Sequence, residues 1–549
     1  MNDNHSAPSR RTVLRGTAVA LAAASVGGPL LTACGGGGGG GAAGIGERVE
    51  LPGHMPSRNG VEPDLARVHA DGSDGYLTFP EETYRSVRKA PGKGGKVTGF
   101  VQTYSPVPPG PDRNKYWREL NGRLNADLRM SIVGAGDYKT KIATLVAGDD
   151  LPDFMQITHG AVPELAPFLD AKCQDLSEFL AGDEIKNYPN LANFPQACWK
   201  GTAVNGGLYG LPIPRPRAVM ALFSRDDLLE ERGIDPAPAT FDELFAAMKE
   251  YTDPRKNRFG TSSPLGMYRY TLQMLGLPNS WKSEGGKLTA VDELEEAKQA
   301  LDALAKVRKA GLFHPDSFLA TAPNSQWFNA GTIAFTQNPN NSWVDLYEQN
   351  VAGDSYRITG RPAFSFEQGV TPTPWMQEAS FWGGFSVVRK SSKDRVRELL
   401  DIANWLAAPF GSEEYLFRRY GLEGLHHKRD ADGAPVLTDQ GKTETSVGVK
   451  FITDSPYVFT YPANPDVVRG MHDFEKVFFE TAVDNPGLGF YSPTLTRKGA
   501  QLQQILDESC IEILQGRKPV SSWDDTMQRW RQSGGDRARE ELQKAIEAA

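Results

Sequence analysis

The chain has 549 residues, 39% hydrophobic and 23% charged, with 60 Lys and Arg against 68 Asp and Glu for a net charge of −8. At roughly 100–200 residues per domain, that is chain for two to four domains, apolar enough to bury a large core and unlike a disordered polymer or a polytopic membrane protein. Residues 1–33 carry three Arg and one Asp, so the remainder stands at −10; an acidic body without a clustered basic face excludes nucleic acid as partner.

The N-terminus reads as an address. Ser9-Arg10-Arg11-Thr12-Val13-Leu14-Arg15 is basic and Gly16 to Ala33 is uncharged, an export signal too short for the ~20 residues of a comfortable transmembrane helix. Arg10-Arg11 resembles a twin-arginine export signal; the alternative is two ordinary basic residues of a general signal. Leu31-Thr32-Ala33-Cys34 resembles a bacterial lipobox, which implies that Cys34 is fatty-acylated (palmitate or similar) and becomes the mature N-terminus. More than one acyl chain is what stable anchoring needs. Residues 34–46, with unbroken glycine from Gly35 to Gly41, then form a flexible tether. That tract matches GxGxxG, but with no strand before it the dinucleotide reading fails.

Residues 47–95, rich in Pro, Gly and charge, read as an irregular lead-in. Val97 to Val101 is a strand, Tyr116 to Leu128 a helix, Met130 to Val133 a strand, Tyr138 to Ala147 a helix and Asp153 to Ile157 a third strand. That alternation implies βαβ units and a mostly parallel sheet. Val219 to Phe223 is another buried strand. Thr240-Phe241-Asp242-Glu243 is a capping box opening a helix to about Tyr251. Thr289 is taken as the cap of a helix whose stripe is Val291, Leu294, Ala297, Leu301, Leu304 and Val307; acidic residues fill its first turns and basic ones its last, as the helix dipole favours. The last 55 residues are mostly helical. Cys510 shares a helical face with Leu502, Leu506 and Ile513 and reads as a buried thiol. Cys173 and Cys198 are either a disulfide or two thiols, since an exported chain permits both.

Catalytic patterns are missing: there is no HExxH, GxSxG, GxxxxGK[ST] or CxxC. Asp149-Asp150 and Glu413-Glu414 are adjacent acids that point apart, hence solvated surface. His426-His427 has no partner ligand at metal spacing and is either structural or an imidazole facing a ligand. Asp253 to Gly260 begins like a calcium loop but places Arg255, Phe259 and Thr261 where oxygen ligands are wanted, so no metal and no cofactor are expected.

Several ordered segments resemble one family. Lys141 to Asp153, ending Gly148-Asp149-Asp150-Leu151-Pro152-Asp153, resembles its turn before the third strand. Gly207-Leu208-Tyr209-Gly210-Leu211-Pro212 resembles its Gly-x-Tyr-Gly-x-Pro segment, and Arg225-Asp226-Asp227-Leu228-Leu229 with Thr240 to Leu244 a further stretch in which Phe241 replaces the usual Trp. Phe328 to Phe335, Tyr420 to His426 and Gly516 to Asp524 follow in order. On these motifs the chain resembles the extracellular solute-binding proteins of family 1, lipid-anchored receptors of ABC importers for sugars, and most nearly their larger members. The calcium-like turn of those members normally continues with Asp-Glu, a pair this chain lacks.

The resemblance implies an α/β fold of periplasmic-binding-protein type, two lobes joined by hinge crossings with a ligand cleft between them. Lobe 1 would be 96–217 plus 383–425, and lobe 2 would be 218–382 plus 426–549. It implies a monomer on the extracytoplasmic face of the membrane that binds an oligosaccharide or other small solute, makes and breaks no bond, and hands the solute to ABC permease subunits. The rival readings are an exported, lipid-anchored polysaccharide-degrading enzyme, which needs two facing carboxylates, and a signalling or adhesion lipoprotein. A neutral sugar site wants aromatic platforms and planar hydrogen-bonding groups, placed on loops leaving strand C-termini. Those loops supply Tyr104, Ser105, His159, Asn338, Asn340, Trp343, Trp375 and Trp382, with Trp343 and Trp382 expected to flank the sugar.

Overall fold

The computed structural model describes residues 49–57, 60–104, 106–158, 160–204, 206–319, 322–349 and 353–548, apart from the side chains of 354 and 381–383. In chain order its main strands are β1 (Asp74–Tyr76), β2 (Lys96–Thr103), β3 (Asp127–Gly134), β4 (Phe154–Ile157), β5 (Gly210–Pro214), β6 (Met220–Arg225), β7 (Phe259–Thr261), β8 (Ile333–Pro339), β9 (Ile358–Arg361), β10 (Ser380–Val388) and β11 (Val458–Thr460). Nine of them build two separate sheets, β3-β2-β4-β10-β5 and β9-β6-β8-β7, each flanked by helices, and β1 pairs with β11.

The alternation of β2 sets up the first lobe. Val97 and Val101 enter one core with Trp117, Leu120 and Leu124 of helix Lys115–Leu124, while Phe100 enters the opposite core with Tyr138 and Ile142 of helix Ala135–Gly148. A strand's period of two makes that division. Asn114 starts the first of these helices by accepting from Trp117 N at 2.9 Å. β2 runs parallel to β3 and β4, but β10 runs antiparallel to both β4 and β5. In the second sheet β7 and β8 are parallel, whereas β6 is antiparallel to β8 and to β9. β2, β3 and β4 are thus parallel, as the alternation implies, and each sheet adds one opposed strand, β10 in the first and β6 in the second. The chain leaves the first sheet through β5 and enters the second through β6, and it returns on β10; the arriving strand and the returning strand are the two that run against their neighbours.

In the second lobe, helix Phe241–Tyr251 begins where its cap predicts: Thr240 Oγ1 accepts from Glu243 N at 3.3 Å, and Glu243 Oε2 accepts from Ala239 N at 2.7 Å. The stripe of Ala297, Leu301, Leu304 and Val307 is buried on helix Glu295–Lys309, but Thr289 is not its cap. Thr289 lies in a hairpin opposite Lys282, which turns at Gly285 and Gly286 with φ of 57° and 80°, the pair of positive values a tight hairpin requires. Helices Pro493–Leu514, Trp523–Trp530 and Asp536–Glu547 complete this core, with Cys510 buried among Leu502, Leu506 and Ile513.

Two segments depart from the expected division. Val447, Val449, Phe451 and Ile452 pack into the first lobe's core beside Val97 and Phe417, so the stretch after residue 425 starts in the first lobe and not the second. The lead-in behaves as a strap. Leu51, Met55 and Val87 rest on the first lobe, Leu65 and Leu77 on the second, and β1 pairs in parallel with β11 from Asp74↔Val458. Ser73 ties the strap down, donating its backbone N–H at 2.7 Å and its hydroxyl at 3.1 Å to the buried Glu475 carboxyl.

Cys173 and Cys198 are separate buried thiols, pushed up to about 12 by burial, and the Cys198 thiol donates to the Ala379 carbonyl at 3.6 Å. Among the described residues no helix is long and apolar enough to cross a membrane.

Candidate functional site

Two segments cross between the sheets side by side. Arg215 to Ala218 leads from β5 to β6, and Met376 to Ala379 leads back to β10. Arg215 N donates to the Ala379 carbonyl at 2.9 Å and Gln377 N to the Arg217 carbonyl at 2.9 Å. Pro214 and Pro216 fix φ without offering an N–H. Arg217 is 4% exposed and reaches Asp71 of the strap at 2.8 Å and Asp484 at 2.6 Å. β10 shifts register against β5 between Ser380 and Phe385, a bulge that bends the strand where it enters the hinge. Ser380 Oγ accepts from Ile213 N at 3.1 Å.

Over this hinge opens a cleft of about 690 Å³. Gln102 and Tyr104 reach it from the end of β2, Tyr138 and Lys139 from the helix after β3, and Thr158 from the end of β4. Val219, Pro339 and Asn341 face them from the second lobe, and Arg215, Gln377 and Glu378 form the floor. The C-terminal ends of parallel strands are where an open α/β sheet leaves room for a ligand. Tyr104 is 66% exposed, a flat aromatic face at the mouth. Gln102 stands in the cleft wall, and its buried Nε2 has no hydrogen-bond partner among the described residues; nor do Gln156 Nε2, Asn338 Nδ2 or the side-chain polar atoms of Asn340, which do not line the cleft. Buried polar atoms are nearly always satisfied, so Gln102 Nε2 marks capacity left for a hydroxyl-rich ligand or water. The backbone N–H of Gln102 donates to Gln156 Oε1 at 3.0 Å, which fixes the Gln156 amide on the sheet. Glu378 is the one carboxylate among the described lining residues; burial raises its pKa and Arg217 opposes the shift.

A smaller cavity of about 200 Å³ adjoins the cleft at Tyr104 and is lined by Arg418, Arg419, Lys450 and Phe451. Asp454 gathers the cations there: Arg418 Nη1 at 2.5 Å, Arg419 Nη2 at 3.3 Å and Arg215 Nη1 at 3.5 Å. Burial alone would raise the Asp454 pKa, but Arg419, Arg418 and Arg215 together hold its carboxyl well below the usual carboxylate range. Lys450 is exposed, with its ammonium 5.4 Å from the Phe451 ring. Its pKa is lowered by desolvation and then by the Arg419 guanidinium.

Of the residues chosen from sequence, Tyr104 lines the cleft. Asn338 and Asn340 stand at the second lobe's edge, where Asn340 N donates to the Val219 carbonyl at 2.6 Å. Cys34, Ser105, His159 and the side chain of Trp382 lie outside the described residues. Two expectations are corrected. Trp343 is 3% exposed, edge-on to Phe223 at 5.3 Å and packed over Gly360 and Gly470; it faces the core because helix Ser342–Glu348 turns its apolar side inward. Trp375 is 9% exposed and donates its indole N–H to the Leu277 carbonyl at 2.8 Å within the second lobe's core. His426 is buried, accepting from Leu422 N at 3.0 Å and reaching Glu444 at 3.3 Å, and His427 holds the Tyr420 carbonyl at 3.0 Å; neither lines the cleft. Asp253 is occupied by Arg258 at 3.5 Å and Lys256 at 3.7 Å.

Sequence reasoning missed Gln102, Lys139, Arg215 and Gln377. The Pro214-Arg215-Pro216-Arg217 run was the available signal for the hinge; Lys139 carries none. A larger groove of about 1,050 Å³ runs between β9 and helix Pro465–Thr481 with Trp343 in its wall, but its lining comes from the second lobe and the helix packed on it, not from both lobes.

The sequence pattern of the bacterial extracellular solute-binding proteins matches residues 121–419. The chain is 22% identical over 487 residues to the polygalacturonan/rhamnogalacturonan-binding protein YtcQ of Bacillus subtilis, covering 84% of this chain and 94% of that protein. It is 22% identical over 465 residues to lipoprotein LipO of the same organism, covering 80% and 90%. Among solved structures it resembles the N-glycan transport solute-binding protein NgtS of Streptococcus pneumoniae, with a TM-score of 0.61, 16% identity, and 82% and 98% of the two chains covered.

Proposed function

We infer, from the premise that the chain belongs to the bacterial extracellular solute-binding proteins, that it binds an oligosaccharide in the cleft between its lobes and delivers it to the permease of an ABC importer. The observation that carries this reading is the exposed ring of Tyr104 beside Gln102, whose buried Nε2 has no partner among the described residues, with Asn341 facing them from the second lobe across one hinge. An aromatic face takes the apolar side of a sugar ring, and amides donate to and accept from its hydroxyls. The volume falls within the roughly 300–1,000 Å³ of small-ligand sites. The relatives point the same way, since YtcQ is named for binding polygalacturonan and rhamnogalacturonan and NgtS for N-glycan transport.

Binding works through the hinge. A ligand that touches both lobes stabilises the closed arrangement by its differential contacts, and the importer recognises that arrangement. In this reading the protein binds its ligand and cleaves no bond, in keeping with relatives named as binding proteins. Cys34, in its lipobox-like setting, anchors the protein by its acyl chains to the extracytoplasmic face of the membrane, in keeping with the relative named a lipoprotein.

A thermal-shift screen against oligosaccharides tests this reading. A true ligand at a hundred times its Kd stabilises the native state by about 2.7 kcal/mol. A panel of glycans that leaves the transition unmoved would overturn it.

A further inference from the structure

Building on the oligosaccharide reading of the cleft, we propose that the ligand is acidic: a hexuronic-acid oligosaccharide that passes from the main cleft over Tyr104 into the adjoining basic pocket, its carboxylates met by Arg419, Lys450 and Lys139. Arg418, Arg419 and Lys450 line one recess, and Arg215 on the floor of the main cleft joins Arg418 and Arg419 around one shared carboxylate, Asp454. Like charges gathered in a partly desolvated recess oppose one another, and a bound anion relieves that repulsion. Donor capacity is also left over. The Nε–H groups of Arg418 and Arg419 are buried without a partner among the described residues, although Arg418 is only 4% exposed. A guanidinium offers several donors in a planar fork that suits a carboxylate.

The nearby acids do not cancel this excess. Asp345 and Glu348, on helix Ser342–Glu348 of the second lobe, have pKa values raised by burial, and Lys450 and Lys442 respectively oppose those shifts. Asp454 is the carboxylate that pairs with Arg418 and Arg419. Glu378 lies on the floor of the main cleft, not in the basic pocket. Tyr104 borders both cavities, with Lys139 on the side of the main cleft and Arg419 and Lys450 on the other. Cations on either side of an aromatic platform suit a saccharide that carries a carboxylate on successive rings.

Isothermal titration of the full chain tests the proposal with trimers of galacturonate, guluronate and mannuronate, each beside its methyl ester, together with maltotriose and a sulfated galactan trisaccharide. At least one free acid is expected to bind about tenfold or more tightly than its ester, and more weakly as salt rises. Lys450→Met and Lys139→Met, both at exposed positions, are each expected to weaken that binding several-fold without lowering the thermal transition. Equal binding of acid and ester overturns the proposal and leaves the oligosaccharide reading standing, as does binding of maltotriose alone or of the sulfated trisaccharide alone. An acid trimer unaffected by either lysine substitution overturns the assignment of these residues. A protein that binds none of these saccharides overturns this proposal, and failure across the wider glycan screen overturns the reading beneath it as well.

Discussion

Arg217 and Gln377 hold each other twice: Arg217 Nε donates to the Gln377 carbonyl at 3.0 Å, and Gln377 N donates to the Arg217 carbonyl at 2.9 Å. These two residues lie on two of the segments that join the lobes, and they brace those two to each other; a third runs from Ile452 in the first lobe's core to Phe459 in the second's. The remaining donors of Arg217 carry the brace outward to Asp71 on the strap and to Asp484.

Removing the guanidinium leaves Asp71 and Asp484 without their cation partner, although Asn485 N still donates to Asp484 at 2.9 Å. Arg217→Met is expected to destabilise the fold by roughly 3 kcal/mol, the lower end for breaking a buried pair, because Asp484 keeps 37% of its side chain in solvent. Denaturant unfolding of the variant measures this; an unchanged midpoint removes the brace from the account.

Glu475 gives the strap a pH signature. Burial lifts its pKa to about 8 from an ordinary 4.5, with the Ser73 hydrogen bonds pulling the other way. The folded state therefore holds a proton that the unfolded state releases, and the contribution of this group to stability is full below about pH 4.5 and lost as pH rises toward 8. Glu475→Gln is expected to flatten this dependence and to raise the melting temperature relative to the parent at pH 8.5. A parallel loss in parent and variant between pH 5 and 8.5 contradicts it.

Aromatic residues separate binding from stability. Tyr104→Ala is expected to cost about 1–3 kcal/mol of ligand affinity while the fold persists, because its side chain is largely exposed. Trp343→Ala is expected to cost roughly 3–5 kcal/mol of stability, since Trp343 fills the core against Phe223. Titration and thermal unfolding of both variants distinguish the roles, and an affinity lost in a fully stable Trp343→Ala protein reverses the assignment.

Cys34→Ser is expected to move the protein from the membrane fraction to the soluble one, since an acyl anchor needs the thiol. Unchanged fractionation removes the anchor.

The elements were legible wherever local chemistry settles them. Val97, Phe100 and Val101 alternate as a strand must, and Thr240 with Glu243 announces a helix start. The Gly285-Gly286 turn was equally local, but Thr289 resembles a helix cap as much as a strand residue, and its pairing with Lys282 decided the matter. Strand direction was not legible, because whether β10 runs with or against β4 depends on the path of the chain through the hinge. The site was legible only in part. Tyr104 follows a strand and was found by position. Trp343 follows a strand too, yet the short helix after it turns the ring inward, and residue type carries no such direction. Arg215, Arg419 and Lys450 come from separate segments that meet only around Asp454.

The most direct measurement of the central claim is a crystal structure of the complex with whichever oligosaccharide gives the largest thermal shift. The account predicts sugar rings over the hinge, one stacked on Tyr104 and others within reach of Gln102 and Asn341 across the cleft. Sugar density in the groove between β9 and helix Pro465–Thr481, or at a surface touched by one lobe alone, would contradict it.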